Sequence, residues 1–180
     1  MCSCWTRSRP ASEEPGPFSR ASSSGSSPIV SLAKGLGGGF PIGAVLATAD
    51  AASGMDHGSH ASTFGGNPLA SAVAEMIVEE VSAPNFLAEV RARGRELAEG
   101  LDKLVADYPA IFAERRGLGL MQGLRCVGSN VALEASCLSH GLIVMAAADN
   151  VVRLLPPLTV SREEVGQALE LLRQVCQGLA

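Results

Sequence analysis

Between Lys34 and Gly43 the chain reads KGLGGGFPIG, five glycines in ten residues with a proline among them. Glycine gives up more backbone freedom on ordering than any other residue, so this stretch can be neither helix nor strand interior and must be a loop. The apolar runs on either side, SPIVSLA and IGAVLAT, are short and rich in β-branched residues, and they are expected to be strands. The first should be buried and run directly into Lys34, with the second emerging from the loop.

Helical periodicity takes over downstream. In NPLASAVAEMIVEEV, Asn67 is placed to cap and Pro68 to occupy the first helical position, with Leu69, Val73, Met76 and Ile77 at helical spacing. A longer helix is expected through NFLAEVRARGRELAEGLDKLVADYP, where Phe86, Val90, Leu97, Leu101 and Leu104 mark one face and Pro109 ends it. The remainder alternates: GLGLMQGLRCV, GLIVMA and VVRLLPPL read as strands, and one of two further helices starts at the capping box SREE.

The first 28 residues differ. They hold nine serines, four prolines and three arginines with no period of 2 or 3.6, and are expected to be disordered. The expected organisation is therefore a structureless 1–28, a first unit over 29–82, a linking helix over 83–114 and a small α+β domain over 115–180. Nothing repeats internally.

A hydrophobic content of 47% suits a chain with a sizeable core, and the net charge of -4 gives no excess of cations for phosphate backbones, so nucleic acid is not expected as a partner. No run is long and apolar enough for a membrane span, and the start lacks the apolar core of a signal peptide, so a cytoplasmic location without membrane association is expected. Cys2, Cys4, Cys126, Cys137 and Cys176 are odd in number and lack paired CxxC spacing, which points to free thiols.

The glycine run fits neither common phosphate loop. A G-x-G-x-x-G register starting at Gly35 ends on Phe40, and one starting at Gly37 ends on Ile42. A P-loop lysine follows its glycines and precedes Ser or Thr, whereas Lys34 comes first and is followed by Gly35. What remains is a lysine at a strand end beside a loop almost without side chains, where a flat aromatic cofactor can lie against backbone. Lysine is a nucleophile only when deprotonated, and apolar burial disfavours the ammonium; Leu32, Ala33 and Leu36 are the neighbours expected to supply it. An ordinary lysine reaching from a strand end into water has the same local sequence. In HGSHASTFGGNPLASA, Ser62 and Thr63 precede Gly65, Gly66 and a helix N-terminus, an arrangement that suits a phosphate or carboxylate and equally a plain cap and turn. His57 and His60 have no third ligand at a usable spacing, so no metal site is expected.

Taken in order, SLAKGLGGGFPIGAVLA, STFGGNPLASAVA, RGLGLMQGL and VVRLLPPLTVS resemble the class III pyridoxal-phosphate aminotransferases over residues 29–180. The resemblance implies an α/β fold of the fold-type I class, incomplete here: the end of the large cofactor domain plus the small α+β C-terminal domain. It implies pyridoxal 5'-phosphate as cofactor, with Lys34 as its covalent anchor and as the acid and base that moves a proton between the substrate α-carbon and the cofactor. Thr63 corresponds to a threonine that binds the cofactor phosphate across a homodimer interface, Ser62 to a neighbouring substrate contact, and Arg153 to an arginine that grips a substrate carboxylate. Amino-acid and 2-oxo-acid substrates follow, with N-acetylornithine and 2-oxoglutarate the expected pair. Ornithine, succinylornithine or 4-aminobutyrate as donor, or a non-catalytic remnant, stay open.

The resemblance also calls for parts not found before Lys34: a carboxylate for the pyridine nitrogen and a glycine turn for the phosphate. In relatives the aspartate lies in an LDEVQTG segment. One plausible coding of that segment, read one nucleotide late, gives Trp-Thr-Arg-Ser-Arg-Pro, the sequence of Trp5 to Pro10. Residues 1–28 are therefore expected to be out of frame, and the chain alone to show little or no transaminase activity.

Overall fold

The computed structural model describes residues 29–179, so the expected disorder and shifted frame of residues 1–28, with Cys2 and Cys4, lie outside the described residues. The chain separates into two compact units that part between Leu87 and Ala88.

The first unit opens with β1 (Ile29–Ala33), a 3-10 turn over Lys34–Gly37, and β2 (Gly43–Ala47). β1 and β2 pair antiparallel, from Ile29 opposite Ala47 to Ala33 opposite Gly43. The strands stand where the flanking runs predict them, but they are not buried. Among the described residues they form a two-stranded ribbon with no further strand and little cover, leaving Ile29, Val45 and Leu46 more than half exposed. Helix α1 (Pro68–Ser82) begins as the sequence predicts: the Asn67 side chain accepts from the Ala70 N–H at 2.9 Å, with Pro68 at the first position. Its expected apolar face is only partly used. Leu69 and Met76 are exposed, Val73 and Ile77 half-buried, and the buried residue is Ala70. One contact of α1 with the lysine turn sets Ile77 against Gly38, where an added Cβ would come within 2.8 Å of Ile77 Cδ1.

Helix α2 (Pro84–Asp107) starts one residue before the predicted stretch, because Pro84 holds Ala83 extended (φ -60°, ψ 130°) and breaks α1 from α2. Its buried residues Val90, Gly94, Leu97, Leu101 and Leu104 follow the predicted stripe. It ends two residues before Pro109.

The second unit is built on an antiparallel sheet of order β3-β4-β6-β5: β3 (Phe112–Leu118), β4 (Met121–Cys126), β6 (Val151–Leu154) and β5 (Met145–Ala147). Helix α3 (Asn130–Ser139) lies between β4 and β5 in sequence, and α4 (Arg162–Leu179) closes the chain. The single strand expected at GLGLMQGLRCV is two strands. Leu118 pairs with Met121, so Gly119 and Leu120 make a two-residue turn with Gly119 at φ +57°. The first of the two, FAERRGL, has too little apolar alternation to be read from its letters. The residue-115 boundary expected for the small domain consequently falls inside β3.

Gln122, Leu124 and Cys126 of β4, with Val152 and Leu154 of β6, form the buried sheet face, and Leu172, Val175, Cys137, Leu101 and Leu104 from the helices complete the core. Arg115, level with Leu124, donates to Asp102 of α2 at 2.6 Å and to Gln122 at 2.9 Å, and Gln122 donates to the Gly119 carbonyl. Gln122, the one buried polar residue among those described, is thereby satisfied. At the α4 N-terminus the capping box is reciprocal: the Glu164 N–H donates to Ser161 Oγ at 3.1 Å, and the Ser161 N–H to Glu164 Oε2 at 2.7 Å.

Candidate active site

Lys34 sits where β1 gives way to the 3-10 turn, with a left-handed backbone (φ +55°). A non-glycine residue there carries a small conformational cost, about 1 kcal/mol. The turn is held by Leu36 and Gly37, both buried, and a Cβ on Gly37 would come within 2.7 Å of Ile42 Cγ2. The lysine itself is exposed. Leu32 is half-buried and Ala33 exposed, so the apolar enclosure expected to favour the neutral amine is not present among the described residues. The physical reason is the open ribbon, which sets only Leu36 firmly inside. The amine makes no hydrogen bond or ion pair among the described residues, which leaves it available to a ligand.

Ser62 and Thr63 are exposed in the turn before α1. The Gly65 N–H donates to the Ser62 carbonyl at 3.3 Å, Gly66 follows at φ +67°, and Asn67 donates back to the Phe64 carbonyl at 2.8 Å. Both hydroxyls remain free of partners among the described residues. No hydrogen bond or ion pair joins Lys34 to Thr63 among the described residues; one contact of α1 with the lysine turn is at Ile77, roughly 13 Å along the helix from its start. No group of three or more His, Cys, Asp or Glu suited to a metal exists among the described residues.

Arg153 belongs to the second unit. It lies in β6 between buried Val152 and Leu154, so its side chain leaves the sheet on the face opposite the core. It is half-buried, and its Nε is buried with no hydrogen-bond partner. A buried donor left unmade leaves room for an acceptor, and Arg93 Nε on α2 is in the same state. Gly123 stands beside Arg153 on β4 and Arg116 beyond that on β3, and the Val151 side chain leans over Gly123, within 2.7 Å of where a Cβ there would stand. Arg116 is already engaged, by Glu114 at 2.6 Å and Asp149 at 3.6 Å. Its guanidinium holds the Glu114 carboxyl below the usual range.

Two residues around Arg153 escaped the sequence reading. Asn150 and Asn130 bind the turn before β6 through their side chains, and Asp149 and Asn150 both adopt left-handed backbone. An Asp-Asn pair ahead of a β-branched run is the signal that marks such a turn.

The class-III aminotransferase family matches residues 18–176, reaching back to Phe18, eleven residues before the Ile29 at which the resemblance was expected to start. Acetylornithine aminotransferase of Brucella melitensis is 45% identical over 152 residues, 84% of this chain and 38% of the relative. That of Rhodobacter capsulatus is 49% identical over 144 residues, 80% of this chain and 37% of the relative. The chain thus spans under two-fifths of the length of the curated relatives it matches. Among solved structures, the N-acetylornithine aminotransferase of Stenotrophomonas maltophilia superposes with a TM-score of 0.77 at 32% identity, covering 91% of this chain and 43% of that one. An ornithine aminotransferase of Toxoplasma gondii, solved with partial occupancy of PLP at its active site, superposes at 0.75 with 28% identity, covering 84% of this chain and 37% of that one. The fold is the corresponding part of a fold-type I transferase, and the family's cofactor is pyridoxal phosphate. An unpartnered lysine amine over a glycine turn is a donor fit for it. The chain belongs to the class-III aminotransferases.

Proposed function

We propose that the activity associated with this chain is pyridoxal-phosphate-dependent transamination, from N-acetylornithine to 2-oxoglutarate, giving N-acetylglutamate semialdehyde and glutamate in arginine biosynthesis. The observation that carries it is Lys34: an exposed, unpaired amine on the glycine turn of a class-III aminotransferase. The cofactor, when bound, supplies an electron sink for the α-carbon. Lys34 Nζ would hold it until the substrate amine takes its place, and the freed amine would then take the proton from the substrate α-carbon and pass it to the cofactor. Arg153 receives the substrate carboxylate, the missing acceptor for its buried Nε, through paired charge-assisted hydrogen bonds. The Thr63 hydroxyl donates to a phosphate oxygen across a homodimer interface, and Ser62 contacts substrate beside it. The setting is cytoplasmic.

The donor is supported by the curated relatives at 45–49% identity, all acetylornithine aminotransferases. Ornithine as donor is the second reading, supported by solved ornithine aminotransferases at 27–28% identity.

The purified chain is tested with pyridoxal phosphate, N-acetylornithine and 2-oxoglutarate beside Lys34→Ala. A visible absorbance band should appear on adding cofactor and vanish in the variant, while turnover stays well below about 1 per second. Lysine-dependent turnover at or above that rate would contradict the expected low activity. A band unchanged in Lys34→Ala would contradict the assignment of the lysine.

A further inference from the structure

The turn that delivers β6 is tied down more heavily than a turn requires. Asn130, the first residue of α3, donates from Nδ2 to the Ala147 carbonyl at 2.9 Å and the Val151 carbonyl at 3.1 Å, the end of β5 and the start of β6. Asn150 Oδ1 accepts from the Asn130 N–H at 3.0 Å, and its Nδ2 donates to the Cys126 carbonyl at 2.8 Å and the Gly128 carbonyl at 2.7 Å. Five hydrogen bonds thus run from two side-chain amides and one N–H to groups 17 to 24 residues away. Asp149 adds an ion pair to Arg116 of β3 at 3.6 Å. The backbone of Asp149 (φ +59°) and Asn150 (φ +56°) needs only residues that tolerate the left-handed region, which glycine does without any tether.

Three residues beyond Asn150 stands Arg153, with its unpartnered buried Nε. A strand that slips by one residue sends every side chain to the other face, and one that tilts swings a long guanidinium by ångströms. We infer that Asn150, acting with Asn130, is a positioning residue for Arg153: the pair fixes the register and twist of β6, so the guanidinium is set for a carboxylate before one arrives. This rests on the reading of Arg153 as the carboxylate-binding group. It assigns the two asparagines a part in substrate recognition without contact to substrate. Preorganisation of this kind lowers the ordering cost on binding.

Glycine at 150 isolates the tether, because it keeps the left-handed backbone and removes the side-chain bonds. The full ¹⁵N-labelled chain is titrated with 2-oxoglutarate, following the Arg153 Nε–H resonance, assigned by its loss in Arg153→Lys. Amide exchange is read in β6 against the β3–β4 pairing. Asn150→Gly should move the free Arg153 resonance, raise the 2-oxoglutarate concentration needed to shift it about tenfold, and speed β6 exchange about tenfold or more over β3–β4. Asn150→Asp keeps the acceptor for the Asn130 N–H and should fall between, and it serves if the glycine variant fails to fold. Ser129→Ala removes the cap of the same helix, a 3.3 Å bond to the Ala132 N–H, and should leave the Arg153 resonance in place. The inference is overturned if Asn150→Gly matches the unaltered chain, or if Ser129→Ala moves the resonance equally. A resonance in the unaltered chain that ignores 2-oxoglutarate overturns the carboxylate reading of Arg153 itself, and with it the functional sense of the tether.

Discussion

In residues 88–179 buried apolar side chains run from Val90 to Cys176, whereas in residues 29–87 the buried apolar side chains are Leu36 and Ala70. The first unit holds the candidate lysine and the Ser62–Thr63 turn; the second holds the candidate arginine. Val45, Leu46, Met55, Phe64, Leu69 and Met76 of the first unit are more than half exposed, as are Val127, Val131, Leu138, Ile143 and Leu179 of the second, so the difference lies in what is buried. The difference teaches that chemistry-bearing residues and a self-sufficient core are separate possessions. Residues 88–179 have a sheet with helices over one face and can stand by burial alone, while residues 29–87 have a ribbon and a helix with little to close over them.

The largest effect that sharpens this contrast comes from truncating a core side chain. Leu101→Ala in the fully buried stripe of α2 should lower unfolding stability by about 2–5 kcal/mol in urea titration. Leu69→Ala and Met76→Ala, on the exposed side of α1, should change it by less than about 0.5 kcal/mol. Equal losses at the two sites would break the contrast.

Next in size is the β3–β4 hairpin. Gly117 is at φ +128°, and a Cβ there would meet the Met121 carbonyl oxygen, so Gly117→Ala should cost about 1–3 kcal/mol by the same titration. Gly58, at φ +86° with nothing within 4 Å, has open space around it, and Gly58→Ala should leave the second unit's transition unmoved.

A smaller effect lies at the caps. Ser161→Ala removes the α4 cap and should cost about 1 kcal/mol in the second unit. Asn67→Ala should lower α1 helicity by circular dichroism without moving that transition. The Ser161 N–H, with the Ser161 side chain second, holds the Glu164 carboxyl below its ordinary 4.5. A carboxyl depressed on folding adds stability that is present above pH 4.5 and lost as pH falls through the lowered value. Glu164→Gln should flatten that acid limb.

The last contrast concerns thiols. Cys126, Cys137 and Cys176 are free and buried, and burial pushes Cys137 and Cys176 up to about 11. An acid raised on folding stabilises below its unfolded value, near 9, and that contribution is lost as pH rises toward 11. Alkylation at pH 8, mapped by mass spectrometry, should spare all three until urea unfolds the second unit.

Much of this was legible in the letters. Asn67-Pro68, the Leu97–Leu101–Leu104 stripe and Ser161–Glu164 are local devices, complete within one or two helical turns, and each stands where it was expected. What the letters hid depends on distant partners. The exposure of Lys34 follows from how little closes over the β1–β2 ribbon, and β3 is a strand because Leu124 and Gln122 pair beside its charged FAERRGL. The Asn130–Asn150 tether joins residues twenty positions apart and has no local period.

The central claim, that Lys34 is the residue through which this chain takes its cofactor, has a direct test because the sequence contains only one other lysine, Lys103. Lys103 is exposed on α2 and serves as an internal control for adventitious labelling. The chain is incubated with limiting pyridoxal phosphate and reduced with borohydride, which fixes the cofactor to whichever amine holds it, and the labelled peptides are mapped by mass spectrometry. Label is expected on Lys34 well ahead of Lys103 and the N-terminal amine. Equal labelling of the two lysines, or label on Lys103 alone, would contradict the claim.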